Sequence, residues 1–231
     1  REWKIKNVHC SIHILKKLQS ELRKKNWSVT CVVYFSPTSH PEILEIKAGY
    51  IELPTYGLAI DLGSTSIAAS LCDLNNGQVI DAKGTMNPQI RYGEDVMSRV
   101  SYTMLQKDGL KNLHSSIIKG MNDLIKTITT ENKIKKDMIF EIVFVSNPIM
   151  HHLLLGIDPK ELGLAPFPLV HSESLNFKAN EINIKANQES YIYTVPCVGG
   201  HVGADAAAVI ISEQPEKSSL NTLIIDIGTN A

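Results

Sequence analysis

Apolar residues recur at helical spacing across positions 11–25, where Ile14, Leu15, Leu18 and Leu22 alternate with Lys16, Lys17, Arg23, Lys24 and Lys25. The pattern predicts an amphipathic helix with a basic last turn, laid over a neighbouring layer. Two β-rich runs follow at 27–35 and 43–52, separated by the Pro37 to Pro41 break and closed by Pro54. Residues 1–54 therefore read as a small α+β module. From Tyr56 the rhythm changes: a short buried strand at 58–60, a Gly/Ser/Thr turn at 61–66, a second strand at 67–73, and Asn75-Asn76-Gly77 turning into a third strand at 78–83.

Two helices are expected next, at 94–106 and 113–129. The second carries Leu113, Ile117, Met121, Leu124 and Ile128 as a core-facing stripe. A buried strand at 140–145, a helix opened by Pro148, an extended segment at 191–196, a helix at 203–212 and a strand at 220–227 complete the series. Between them, the polar, asparagine-rich stretch 166–189 is expected to run over the surface. Antiparallel strands first, then strands alternating with helices, predict an α/β fold with a mixed sheet.

Composition narrows the function classes. The 231 residues hold 23 Lys+Arg against 24 Asp+Glu, a formal charge of −1, so the overall attraction that drives nucleic-acid binding is missing. No apolar run approaches the ~20 residues of a membrane span, and Arg1-Glu2-Trp3-Lys4 does not open a signal segment. A cytoplasmic protein without membrane or nucleic-acid partners is expected. Cys10, Cys31, Cys72 and Cys197 are too far apart for a metal or iron–sulfur loop. The chain starts without methionine and stops at Ala231 within a motif, which reads as a fragment of a longer protein.

That motif occurs twice, as Ile60-Asp61-Leu62-Gly63-Ser64-Thr65 and as Ile225-Asp226-Ile227-Gly228-Thr229-Asn230. A strand ending in Asp delivers a carboxylate to the sheet edge. The glycine lets the backbone turn tightly, and the following N–H and hydroxyl groups can donate to phosphate oxygens. Two carboxylates facing a triphosphate repel it, by about 4 kcal/mol for unit charges ~4 Å apart at an effective dielectric near 20. The pair therefore calls for a divalent cation, and Mg²⁺ bound through water to Asp61 and Asp226 suits best.

The paired motifs resemble the two phosphate loops of the ASKHA superfamily of sugar kinases, actin and heat-shock chaperone ATPases. More specifically, the chain resembles the reductive activators of corrinoid proteins. The residues that carry this are Gly57-Leu58-Ala59-Ile60-Asp61-Leu62-Gly63-Ser64-Thr65-Ser66, Asn87-Pro88-Gln89 with Arg91-Tyr92-Gly93-Glu94-Asp95-Val96, Ser146-Asn147-Pro148-Ile149-Met150-His151-His152-Leu153-Leu154-Leu155-Gly156, and Gly199-Gly200-His201-Val202-Gly203-Ala204-Asp205. The resemblance implies an actin-like, ribonuclease-H-like ATPase subdomain over 55–231, cut within the second phosphate motif and preceded by the family's middle or linker module at 1–54. It implies ATP-dependent reduction of a corrinoid protein from Co(II) to Co(I) in support of methyl transfer, with ATP and Mg²⁺ as cofactors. Asp61 would lie near the Mg²⁺ waters, with Gly63, Ser64 and Thr65 holding phosphates. Asp226, Gly228, Thr229 and Asn230 would face them from the second subdomain, and Asp205 would take a connecting or water-positioning role among the catalytic residues Asp61, Asp205 and Asp226. Arg91, Glu94 and Asp95 would form a polar corner.

The chain departs from the family at both ends. The family's [2Fe-2S] cluster, expected in an N-terminal domain, has no cysteine set here, and the adenosine-binding part after the second phosphate motif is absent. This stretch by itself is expected to have little ATPase activity. The resemblance implies a corrinoid protein and an electron donor to the cluster as partners, and leaves a homodimer open. Two other readings remain: an ASKHA kinase acting on a small metabolite, or a nucleotide-gated interaction module. Other signals carry less. His151 and His152 are adjacent, about 100° apart on a helix, and cannot form a zinc pair, so packing and capping roles are expected for them. Ser116-Ile117-Ile118-Lys119 lies inside the predicted core helix and lacks companion nucleophile motifs. No P-loop or dinucleotide fingerprint is present.

Overall fold

Ser11 ends strand β1 (His9–Cys10) and caps helix α1 (Ile12–Lys24), its hydroxyl accepting from the Ile14 amide. The computed structural model describes residues 5–36 and 40–225. Strands β2 (Val29–Tyr34) and β3 (Glu42–Ala48) pair antiparallel, and β1 adds parallel to β3. Helix α1 lies on β3. Of its apolar stripe Ile14 is fully buried whereas Leu15 is half exposed, because three short strands offer too little width to cover the whole stripe.

The larger sheet begins with β4 (Tyr56–Leu62), β5 (Ser66–Asp73) and β6 (Val79–Met86), an antiparallel meander. A 3₁₀ turn at Pro88–Tyr92 leads into α2 (Val96–Leu105) and α3 (Gly109–Glu131). Then come β7 (Ile139–Ser146), α4 (Pro148–Leu155), the edge strand β8 (Leu175–Lys178), β9 (Tyr191–Thr194) and α5 (Ala204–Glu213). The strand order is β6-β5-β4-β7-β9-β8, with β7 and β9 parallel to β4 and β8 antiparallel to β9. This is the mixed sheet expected of an actin-like subdomain. The predicted stripe of α3, Leu113, Ile117, Met121, Leu124 and Ile128, is buried throughout against Leu58, Ile60, Leu62, Ile142 and Phe144. Gly120 lets the 3₁₀ turn pack close against α3, since a Cβ there would lie 2.8 Å from the Pro88 ring. The opposite face of the sheet is more open: Ala59, Asp61 and Ala68 are exposed.

Four expectations change. Strand β4 runs on through Asp61 and Leu62, so the turn shrinks to Gly63-Ser64-Thr65. Helix α3 starts at Gly109, four residues earlier than its stripe suggested, packed so closely that a Cβ on Gly109 would meet the Tyr102 carbonyl at 2.6 Å. The stretch 166–189 is not a surface excursion, because it holds β8 and buries Ala179, Ile182 and Ile184. Its asparagines satisfy turns: Asn187 donates from Nδ2 to the Asp137 carbonyl at 2.6 Å and accepts from the Glu189 amide at 2.8 Å. Of the strand expected at 220–227, residues 220–225 form none and have no ladder partner among the described residues. Leu220, Leu223 and Ile225 are exposed there. No described helix is long and apolar enough to cross a membrane.

The two sheets meet at a polar junction with an aromatic floor. The Tyr34 and Tyr191 rings stack at 4.3 Å beside Phe140 and Leu44. Lys178 Nζ donates to Glu42 Oε1 at 2.8 Å and Glu189 Oε2 at 3.3 Å, and sits 4.0 Å over the Tyr191 ring. The Tyr191 hydroxyl donates to Glu42, and Ser11 Oγ donates to Glu189 at 2.7 Å. Burial pushes the Tyr34 hydroxyl up to about 12 and raises Tyr191 as well, so both are donors at neutral pH. Lys178→Ala leaves two mostly buried carboxylates without their cation, held only by the Tyr191 and Ser11 hydroxyls, and should cost about 2 kcal/mol in urea unfolding, reduced from a fully buried pair because the lysine retains some exposure. In a double-mutant cycle with Glu42→Gln, additivity would show that the pair is not coupled.

Candidate functional site

The register of β4 against β7 determines what meets at the sheet edge. Asp61 lies opposite Val145 and Leu62 opposite Ser146, so both strands end at the same level. Ligands of open α/β sheets gather beyond such carboxyl ends. The Gly63-Ser64-Thr65 turn lies there, next to Asp61. It must be tight: a Cβ on Gly63 would come 2.7 Å from the Ser66 carbonyl. Asn147, which follows β7, caps α4 by accepting from the Met150 amide at 2.9 Å.

All three carbonyls of the turn are held from the protein side. Asn87 Nδ2 donates to the Gly63 carbonyl at 2.8 Å and the Asn87 amide to the Thr65 carbonyl at 2.8 Å, while an Arg99 Nη2 donates to the Ser64 carbonyl. A trans peptide carries its N–H on the side opposite its carbonyl. The amides of Ser64, Thr65 and Ser66 are therefore turned away from those supports, an arrangement that can receive an anion.

The supports are themselves fixed and buried. Asn87 Oδ1 accepts from the Gln89 amide at 2.9 Å, starting the 3₁₀ turn, and Gln89 Nε2 donates to the Leu113 carbonyl at 3.0 Å. Arg99 also donates from Nε to the Gly93 carbonyl and from Nη1 to Gln89 Oε1, each at 3.1 Å. Sequence reading picked out the motif of Asn87 and Gln89 without giving either this task, and missed Arg99. The available signal was an arginine at core spacing, among Val96, Val100 and Thr103. The expected polar corner is different in kind. Arg91 and Glu94 are exposed, Arg91 stacking 4.7 Å from the Tyr92 ring centroid. Asp95 caps α2, its carboxyl held below the usual range by the Ser98 amide and hydroxyl.

Asp205 reaches the same edge from another direction. Two glycines bring it in: a Cβ on Gly200 would lie 2.2 Å from the Phe167 carbonyl, and one on Gly203 would lie 2.5 Å from the Ser146 carbonyl. Asp205 is in the first turn of α5 and accepts from the Ala206 amide at 2.9 Å, a placement the helix dipole favours. Asp61, Gly63, Ser64, Thr65 and Asp205 thus share the carboxyl edge of the sheet. Asp226, Gly228, Thr229 and Asn230 lie outside the described residues. Among the described residues no three His, Cys, Asp or Glu side chains converge as a metal cage. A carboxylate beside outward-facing amides suits Mg²⁺ held mainly through water and phosphate.

The histidine pair has the packing roles expected. His152 Nδ1 meets the Pro148 carbonyl at 2.8 Å, and its Nε2 accepts from the Val170 amide at 3.3 Å. His151 faces Thr194 Oγ1 at 3.4 Å. Burial, aided by the neighbouring His152 and His171, lowers His151 from 6.5 to about 4.

Two predictions follow from these contacts. Asn87→Ala removes both of its side-chain bonds, one to the Gly63 carbonyl and one from the Gln89 amide, and should cost about 1–3 kcal/mol in chemical denaturation. His151 stays neutral in the fold at a pH where the unfolded chain already binds its proton. Its contribution is therefore present above pH 6.5 and lost as pH falls toward 4. The loss should approach about 3.5 kcal/mol (~1.4 per unit) in wild type, and His151→Gln should flatten that part of the stability–pH curve; equal slopes would place the titration elsewhere.

The family model described as the RACo middle region matches residues 56–218, and the one described as the RACo linker region matches residues 1–52. The chain is 32% identical over 179 residues to the corrinoid activation enzyme RamQ of Eubacterium limosum, covering 78% of this chain and 30% of that protein. It is 25% identical over 189 residues to the Co(II) methylated amine-specific corrinoid protein reductase of Methanosarcina barkeri, covering 76% and 33%. Among solved structures it matches the reductive activator for corrinoid,iron-sulfur protein with a TM-score of 0.85 and 32% identity, over 92% of this chain and 34% of that one. The chain spans about a third of the length of these relatives.

Proposed function

The chain belongs to the RACo family through its middle and linker regions, and from this we propose that it provides one side of the ATP cleft of a corrinoid reductive activator. The whole protein would use ATP to reduce a corrinoid protein from Co(II) to Co(I), one electron per cobalt. That electron would come from a [2Fe-2S] cluster in another part of the protein, itself reduced by an external donor. Residues 1–54 would be the linker module, and residues 55–231 the first ATPase subdomain, running into the second phosphate motif.

One observation carries this reading: beside Asp61, all three carbonyls of the Gly63-Ser64-Thr65 turn are tied back to Asn87 and Arg99, so the N–H groups of the same peptides are directed away from those supports. In this reading that turn holds phosphates, and Asp61 orients the waters of Mg²⁺ together with Asp226. Bound Mg²⁺ supplies charge neutralisation between carboxylates and phosphates. Gly228, Thr229 and Asn230 approach the phosphates from the other side, and Asp205 positions water or connects the two halves. Closure over ATP shifts a two-state equilibrium, so that the partner corrinoid protein is bound in a form whose cobalt accepts an electron.

The test uses the full-length protein with its cluster reduced by a low-potential donor and a cognate corrinoid protein, following Co(I) by its absorbance. ATP-dependent formation of Co(I) is expected, with Asp61→Ala reducing its rate about a hundredfold or more, the scale of losing a transition-state charge contact. Co(I) formation at the same rate without ATP, or unaffected by Asp61→Ala, would refute the reading.

A further inference from the structure

Resting on the reading that the Gly63-Ser64-Thr65 turn holds phosphates, we infer that Arg99 is the residue that sets the turn's preference for highly charged ligands. It acts from behind the backbone as a positioning residue and does not touch the nucleotide. Arg99 is among the largest fully buried side chains, with no exposed surface. A buried cation normally faces a carboxylate. Here every acceptor is neutral: the carbonyls of Ser64 and Gly93, Gln89 Oε1, and the Met150 sulfur at 3.2 Å. No carboxylate of the described residues lies within ion-pairing distance of it. Asp95, whose field reaches it, is committed to the Ser98 amide and hydroxyl.

Burial lowers the guanidinium to about 10, which still leaves it cationic at neutral pH. Among the described residues its charge meets no carboxylate in direct contact, Asp95 acting only through its field, and the one peptide it grips at the turn is Ser64–Thr65. Holding that carbonyl polarises the peptide and strengthens the Thr65 N–H on the far side as a donor. Both the field and the polarised amide favour negative charge at the turn, and both grow in effect with the charge delivered. The planar fork suits arginine to the task, because Nε, Nη1 and Nη2 each point to a different acceptor at fixed angles.

Calorimetric titration of the full-length protein with Mg-ATP, Mg-ADP, AMP and adenosine tests this. Arg99→Met should weaken Mg-ATP by about tenfold or more, where each tenfold is ~1.4 kcal/mol, with smaller losses for ADP and AMP and none for adenosine. Gln89→Glu keeps the guanidinium but sets a carboxylate against Nη1, at the cost of the Nε2 bond to the Leu113 carbonyl, and should reproduce the same graded loss, with adenosine binding unchanged as the control for that lost bond. If Arg99→Met does not fold, Gln89→Glu decides. Unchanged Mg-ATP affinity, or equal losses for ATP and adenosine, overturns the inference and leaves a purely structural arginine. Asp61→Ala and Gly63→Val separate the two levels: if neither weakens Mg-ATP, the phosphate reading of the turn itself falls; if both do while the charge variants do not, only the role of Arg99 falls.

Discussion

The parallel ladder between β4 and β7 is the constraint on which the candidate site depends. It pairs Asp61 with Val145 and Leu62 with Ser146, so the turn after β4 and the helix start after β7 emerge side by side. A slip of one residue would move Leu58, Ile60 and Leu62 from the core to the open face and bury Asp61. The hydrophobic face that holds the sheet on α3 therefore also fixes which carboxylate reaches the edge. Fold stability and site geometry are specified by the same alternation.

Around that edge, close backbone approach takes the place of long side chains. Gly63, Gly200 and Gly203 each lie where a Cβ would collide with a carbonyl oxygen at 2.2–2.7 Å. The buried groups behind the turn, Asn87, Gln89 and Arg99, form a polar block in which each contact fixes another. Such a block is costly when incomplete, and only the guanidinium charge within it lacks an internal counterpart.

Much of this was legible in the sequence, and the failures have definite causes. The short apolar run of β4, the Gly/Ser/Thr and Asn-Asn-Gly turns and the stripe of α3 gave the meander and its helix, because each signal is local in sequence. The carboxylate and its glycine turn were legible because a tight approach needs glycine. Strand β8 was hidden because Asn176 and Lys178 give it a loop-like composition, while its stability comes from pairing with β9 and from the junction with the first sheet. Arg99 was hidden because a charged residue at core spacing reads as a break in the stripe, and its partners are distant in sequence. In the strand expected at 220–227, the described part, 220–225, is not a strand for the opposite reason: its apolar pattern is real, but no described strand lies beside it.

Strand β9 links two places that otherwise share no residue. Tyr191, its first residue, sits in the junction with the linker sheet, and the segment after Thr194 leads through the paired glycines to Asp205. Four residues of strand span only about 13 Å, and the ladder to β7 keeps β9 from sliding on its own. The junction with the linker sheet and the segment that leads to Asp205 are therefore anchored to the two ends of one short strand, whose length fixes the distance between those anchor points.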